Sequence, residues 1–214
     1  PASATVTPGT PMPSTYSAKY QGPPVAVPDN SSTGVLTEIA VPSGIGPITK
    51  VTATLGRIES TYDQDLRISL ISPTGTEVAL SDRNGGSGDN YVGTVFDDAG
   101  VEPITTGQAP FPGTFRPQGS LATLKGENPT GNWRLKVVDA ANGDTAMVIA
   151  WSVSISGPQP QTITFTPPTD TALSAGSVRL SAVATSGLPV TFTTATPAIC
   201  TVVDDRASLV SPGT

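Results

Sequence analysis

The chain has 214 residues, of which 13% are charged, with 22 glycines, 22 prolines and a formal net charge of −6. That balance argues against nucleic acid or an anionic membrane surface as the main partner and is compatible with cations, and no run of about 18 apolar residues is available to span a bilayer. There is no histidine and one cysteine, which excludes Ser-His-Asp and Cys-His catalysis, His-ligated zinc and an internal disulfide within these residues.

Turn residues are spread evenly and helical periods are scarce, so an all-β fold is expected. Residues 1–19 are rich in Pro, Thr and Ser and carry no alternation. They read as a semi-extended linker rather than a targeting segment, as expected of an internal piece of a longer protein. From Val25 strand signals recur. "GVLTEIAVP" (34–42) and "ITKVTATLGRI" (48–58) alternate, with Val51, Ala53 and Leu55 sharing a face. "TYDQDLRISLISPTGT" (61–76) puts Leu66, Ile68 and Leu70 on one face, launched by Asp63 and Asp65 and stopped by a Pro-Thr-Gly turn. "TEVALSD" (76–82) returns, "RNGGSGDN" (83–90) reads as a flexible loop, and "YVGTVFDDAG" (91–100) is the next strand.

Residues 101–120 carry four prolines and little pattern, so a long crossing loop is expected. "NWRLKVVD" (132–139) then places Trp133, Leu135 and Val137 on one face. "AMVIAWSVSIS" (146–156) places Met147, Ile149, Trp151, Val153 and Ile155 together. About eight strands with two core-facing tryptophans suit a two-sheet β-sandwich or jelly roll over residues 20–157. A Gly-Pro-Gln-Pro break at 157–160 gives a linker at 158–160. Residues 161–214 again read as strands but are too few for a complete sandwich.

The acids cluster at strand ends and in loops. Calcium takes six to eight oxygens from such places, whereas Asp at a strand end also caps turns with its own side chain. Turn chemistry is the reading for Asp63, Asp82 and Asp89. Asp97 and Asp98 are the leading calcium candidates, because adjacent carboxylates repel and gain from a cation between them; Asp65, Asp139 and Asp144 are possible partners from neighbouring strands and loops. "GGSGDN" misses the repeated Gly-Gly-x-Gly-x-Asp calcium turn by one position and occurs once. Trp133 and Trp151 could stack on sugars if exposed, but both lie on regular apolar faces, which favours the core. Paired carboxylates for glycoside hydrolysis are not accompanied by a cleft signature.

Six ordered motifs, "TYDQDLRISLISPTGT", "SDRNGGSGDN", "TVFDDAG", "APFPGTFRPQGSL", "GENPTGNWRLKVVDAANGDT" and "AWSVSIS", with "VPDN" at 27–30, resemble the P domain of proprotein convertases. The bacterial form, attached to secreted subtilisin-like proteases and other exoproteins, is the nearest likeness. The resemblance implies a jelly-roll-type β-sandwich that follows a catalytic subtilisin-like domain and aids its folding and stability without donating catalytic residues. Ser60 stands where many relatives have His, and Gln64 where many have Gly.

Residues 161–214 resemble the start of a bacterial immunoglobulin-like repeat through "QTITF", "LSAVATSGLPVTF" and "PAICTV". This resemblance implies that Cys200 is half of a disulfide whose partner lies beyond Thr214, in keeping with an extracytoplasmic compartment. The expectation is thus a monomeric, non-catalytic accessory module of a secreted or cell-surface protein, with no nucleic-acid partner and no membrane span. The alternative is an adhesive module that binds carbohydrate or protein.

Overall fold

The computed structural model describes residues 4–8 and 13–212. They form two compact units, one spanning Pro13–Pro158 and the other drawn from 159–214 together with the described part of 1–12. In chain order the first strands are β1 (Ala4–Pro8), β2 (Pro13–Lys19), β3 (Val25–Val27), β4 (Val35–Val41), β5 (Lys50–Ser60) and β6 (Leu66–Ile71). They are followed by β7 (Glu77–Asp82), β8 (Tyr91–Phe96), β9 (Glu102–Pro103), β10 (Gly113–Arg116), β11 (Gly131–Asp139) and β12 (Ala146–Pro158). The later strands are β13 (Ile163–Thr166), β14 (Ser177–Arg179), β15 (Ser181–Ala184), β16 (Val190–Thr194), β17 (Cys200–Val203) and β18 (Arg206–Leu209). Among the described residues the only helical elements are short 3-10 turns, and no helix is long and apolar enough to cross a membrane.

The larger unit is a two-sheet sandwich. One sheet runs β2-β12-β5-β8-β10-β9, with β3 also on β12, and the other runs β4-β11-β6-β7. The chain steps from sheet to sheet while β3 pairs with β12, β4 with β11, and β5 and β6 with those same two late strands. Nested long-range antiparallel pairs of this kind make a jelly roll. Alternation puts Leu66, Ile68 and Leu70 of β6, and Trp133, Leu135 and Val137 of β11, into the space between the sheets. Both tryptophans are core residues, Trp133 at 0% and Trp151 at 2% exposure, so neither is a sugar platform.

Three expectations change. The first concerns β12, where Met147 and Ile149 do not share the face of Trp151. Ala146 and Val148 are buried before the middle of the strand, and Trp151, Val153 and Ile155 after it. The cause is a pair of irregularities in which Val148 faces Ile58, Ala150 faces Arg57 and Trp151 faces Leu55. Each extra residue reverses the parity of its strand, so β5 and β12 change phase together and keep their apolar sides inward. Gly56 sits at this point, where a Cβ would come 3.1 Å from the Cβ of Ala150.

The second concerns the linker expected over 1–19, in which residues 4–8 are strand β1, paired with β16, and residues 13–19 are strand β2. They pair with β12 from Lys19↔Ser152 to Pro13↔Pro158, and Tyr16, Ala18 and Tyr20 pack on the core. Thr and Ser on the outward side mask the alternation, and Thr15 and Ser17 bond Ser156 and Ser154 across the ladder. Residues 1–3 and 9–12 of the expected linker lie outside the described residues.

The third is the crossing loop at 101–120, which contains β9 and β10; β10 runs parallel to β8. Its apolar residues are irregularly spaced, so periodicity misses it. Phe111 stacks on Tyr91 with centroids 4.5 Å apart, and Phe115 meets Phe111 edge-on at 6.2 Å.

The smaller unit holds the ladders β13-β15, β14-β18-β17 and β1-β16. Among its described residues the buried apolar ones are Leu180, Ala184, Cys200 and Ala207, while Val183 and Val203 are each 68% exposed. Cys200 is a free thiol beside the Thr194 hydroxyl.

Candidate functional site

The five aspartates expected as metal ligands fall into two places. Asp97 and Asp98 follow β8. Lys50 Nζ lies 2.7 Å from Asp97 Oδ2, and the Ala99 N–H donates to Asp97 Oδ1 at 3.0 Å. Burial raises the Asp97 carboxyl, but Lys50 and the Ala99 N–H outweigh it and hold it below its ordinary value. Asp98 turns away and caps the 3-10 turn Leu121–Leu124, accepting from Ser120 Oγ, Leu121 N and Ala122 N at 2.7–2.9 Å. With Thr49 and Lys125 these residues line a shallow pocket of about 220 Å³. Lys50 thus serves Asp97, and one hydroxyl with two backbone N–H groups serves Asp98.

Asp65, Asp139 and Asp144 come together elsewhere, and Asp29 joins them. Three backbone links assemble the loops. Ser31 N–H donates to Asp139 O at 2.8 Å, Ala140 N–H to Asp65 O at 2.9 Å, and Thr61 N–H to Thr145 O at 3.1 Å. Asp29 accepts from Gly143 N–H at 3.1 Å, and Thr61 Oγ1 reaches Asp144 Oδ1 at 3.5 Å. Asp139 ends β11 at 1% exposure, and its Oδ2 has no hydrogen-bond partner. Burial pushes its carboxyl up, and the charges of Asp29 and Asp144 push the same way against the Ala141 N–H. Asp65 is raised by burial and then by direct contact with the Asp144 carboxyl, with Arg83 opposing. As placed, no three His, Cys, Asp or Glu side chains among the described residues form a metal-holding group.

A buried polar network surrounds Asp63, which sequence reasoning assigned only to turn chemistry. Asp63 does begin a 3-10 turn, but its side chain is fully buried. It accepts a short hydrogen bond from Ser60 Oγ, while its Oδ2 has no partner. Burial pushes this carboxyl from 3.8 up to about 6, with Ser60 and the Asn90 backbone pulling it down. The loop 83–90 is stitched to this centre rather than free. Asp63 N–H donates to Gly88 O at 2.9 Å and Gln64 N–H to Gly86 O at 3.1 Å. Asn84 donates to Ser81 and Gln118. Gly85, at φ +94°, lies so near that a Cβ would meet the Asp63 Cβ at 2.8 Å. No sequence pattern announces this burial.

The Ser60–Asp63 pair looks like a nucleophile with an acid, but both are buried and the sequence has no histidine to act as base. The polar groups therefore hold loops together, and what the molecule offers chemically is a rigid sandwich with carboxylates at its loops.

A family model described as "Proprotein convertase P-domain" matches residues 48–155. Leupeptin-inactivating enzyme 1 of Streptomyces exfoliatus is 29% identical over 146 residues, covering 68% of this chain and 27% of that enzyme. Among solved structures, the serine protease of Aeromonas sobria in complex with its chaperone is 19% identical, with a TM-score of 0.45 over 74% of this chain and 28% of that one. The serine protease of Aeromonas sobria in a second crystal structure gives 19% identity and a TM-score of 0.44, over 72% of this chain and 27% of that one. The chain spans about a quarter of the length of these relatives.

Proposed function

The chain belongs to the proprotein convertase P-domain family, and from that premise we propose that it is a non-catalytic accessory module that stabilises a secreted protease or related exoprotein. The observation that carries the reading is the family match over residues 48–155, the central part of a sandwich with its own closed core. The absence of histidine supports a non-catalytic role, and the curated relative is by name an enzyme about four times longer than the shared segment. In this reading the partner is a catalytic domain of the parent chain, the compartment is extracytoplasmic, and residues 161–214 belong to an immunoglobulin-like repeat beside the P domain.

The purified chain should leave casein intact. Hydrolysis that co-purifies with the chain through successive columns would overturn the non-catalytic assignment. The adhesive alternative rests on the exposed ladders of the smaller unit and predicts retention on a glycan or cell-surface fraction. Retention that is lost on removal of residues 159–214 would favour it over the accessory role.

A further inference from the structure

We infer that Asn142 is a site of spontaneous covalent modification, deamidation through attack by the Gly143 nitrogen, and that conversion loosens the tie between this turn and the loop of Asp29. The sequence holds two Asn-Gly pairs, Asn84-Gly85 and Asn142-Gly143. Glycine after asparagine leaves the attacking nitrogen unshielded, since no Cβ flanks it. The fold treats the two pairs in opposite ways. Asn84 is 9% exposed, and its side-chain nitrogen donates to Ser81 Oγ and to Gln118 Oε1, both at 2.8 Å. Losing that nitrogen would strip both acceptors of their donor. Gly85 is packed as well, with Asp63 and Phe111 where a Cβ would stand. Asn142, by contrast, is exposed in the turn between β11 and β12, and a Cβ at Gly143 would meet nothing within 4 Å. The turn has room for the ring that the reaction forms.

Water is the only co-reactant. The Gly143 nitrogen gives up its proton and bonds to Asn142 Cγ, and the side-chain nitrogen leaves with that proton as ammonia. Water then cleaves one of the two C–N bonds that the Gly143 nitrogen makes in the cyclic imide. Cleavage at Cγ leaves aspartate. Cleavage at the Asn142 backbone carbonyl leaves isoaspartate, with the main chain rerouted through Cβ and Cγ. The Gly143 N–H is the donor that reaches Asp29 Oδ2 at 3.1 Å, so the imide stage has no proton to offer Asp29. Either product then places a new carboxylate beside Asp144 and close to Asp29, where like charges repel.

The test uses the whole chain, aged in mildly alkaline buffer and digested with trypsin, whose cuts after Arg83 and Lys136 put the two pairs on separate peptides. Mass spectrometry should show NH replaced by O at Asn142, partly as isoaspartate, while Asn84 stays intact. In urea both pairs should convert, because the fold alone shields Asn84. The aged chain should melt about 2–4 °C below the fresh one. Asn142→Gln, whose longer side chain closes its ring far more slowly, should age without that loss. Asn84 converting as fast as Asn142 in the folded chain overturns the proposal. So does an Asn142 that converts in urea but not in the folded chain, or an equal loss of melting temperature in the aged wild type and the aged Asn142→Gln.

Discussion

Asp63 is a buried residue whose ionisation is coupled to folding. Its carboxyl is pushed from 3.8 to about 6 by burial, so the native state holds this proton to higher pH than the unfolded chain does. The stability from the protonated form is complete below about pH 4 and lost as pH rises through about 6. A shift of about two units corresponds to at most about 3 kcal/mol. Asp63→Asn should therefore leave urea stability near pH 4 almost unchanged and raise it at pH 8; equal effects at both pH values would contradict the buried-carboxyl account. The tryptophans give a second residue-scale comparison. Trp133 Nε1 donates to Pro129 O at 2.9 Å, whereas Trp151 Nε1 is buried without a partner. Trp133→Ala should cost about 3–5 kcal/mol in chemical denaturation. Trp133→Phe should cost about 1–2 kcal/mol more than Trp151→Phe, since only the former strands a buried carbonyl. The core role of both tryptophans was legible in the alternation of their strands. The burial of Asp63 was not, because it depends on Gly85 and Phe111, distant in sequence, closing over the turn.

Strands with one apolar face could be read directly, as β6 and β11 illustrate. Those whose core side is set by a bulge or by masking hydroxyls could not. The phase change at Val148–Trp151 is invisible in β12 alone, because Met147, Ile149 and Trp151 alternate perfectly; Gly56 on the partner strand is the feature that permits it. β2 was hidden in a Pro/Thr/Ser-rich stretch, yet it covers the far half of β12. A chain beginning at Gln21 should accordingly be less stable than one beginning at Pro13, by about 2–4 °C for each kcal/mol of lost packing. Its exposed β12 edge should also promote association. Identical melting curves for the two chains would show that β2 is an ornament on a sandwich complete without it.

The two units differ in how much apolar surface they enclose. Pro13–Pro158 buries twenty-odd large side chains between two sheets, while the described part of the smaller unit buries Leu180, Ala184, Cys200 and Ala207. Limited proteolysis of the whole chain should therefore cut first within residues 159–214 and leave a fragment of residues 13–158 that melts cooperatively. Equal resistance of both units would contradict this. The motifs made the P-domain sandwich legible, but the meeting of Asp29 with Asp65, Asp139 and Asp144 required three loops to be placed in space. The central claim, that this sandwich stabilises a catalytic partner without taking part in the chemistry, is tested most directly on the full-length gene product with and without residues 13–158. The measurement is the half-life of activity at elevated temperature, normalised to titrated active sites. The account predicts an unchanged rate per active site and a half-life shortened several-fold; an unchanged half-life with full folded yield would contradict it.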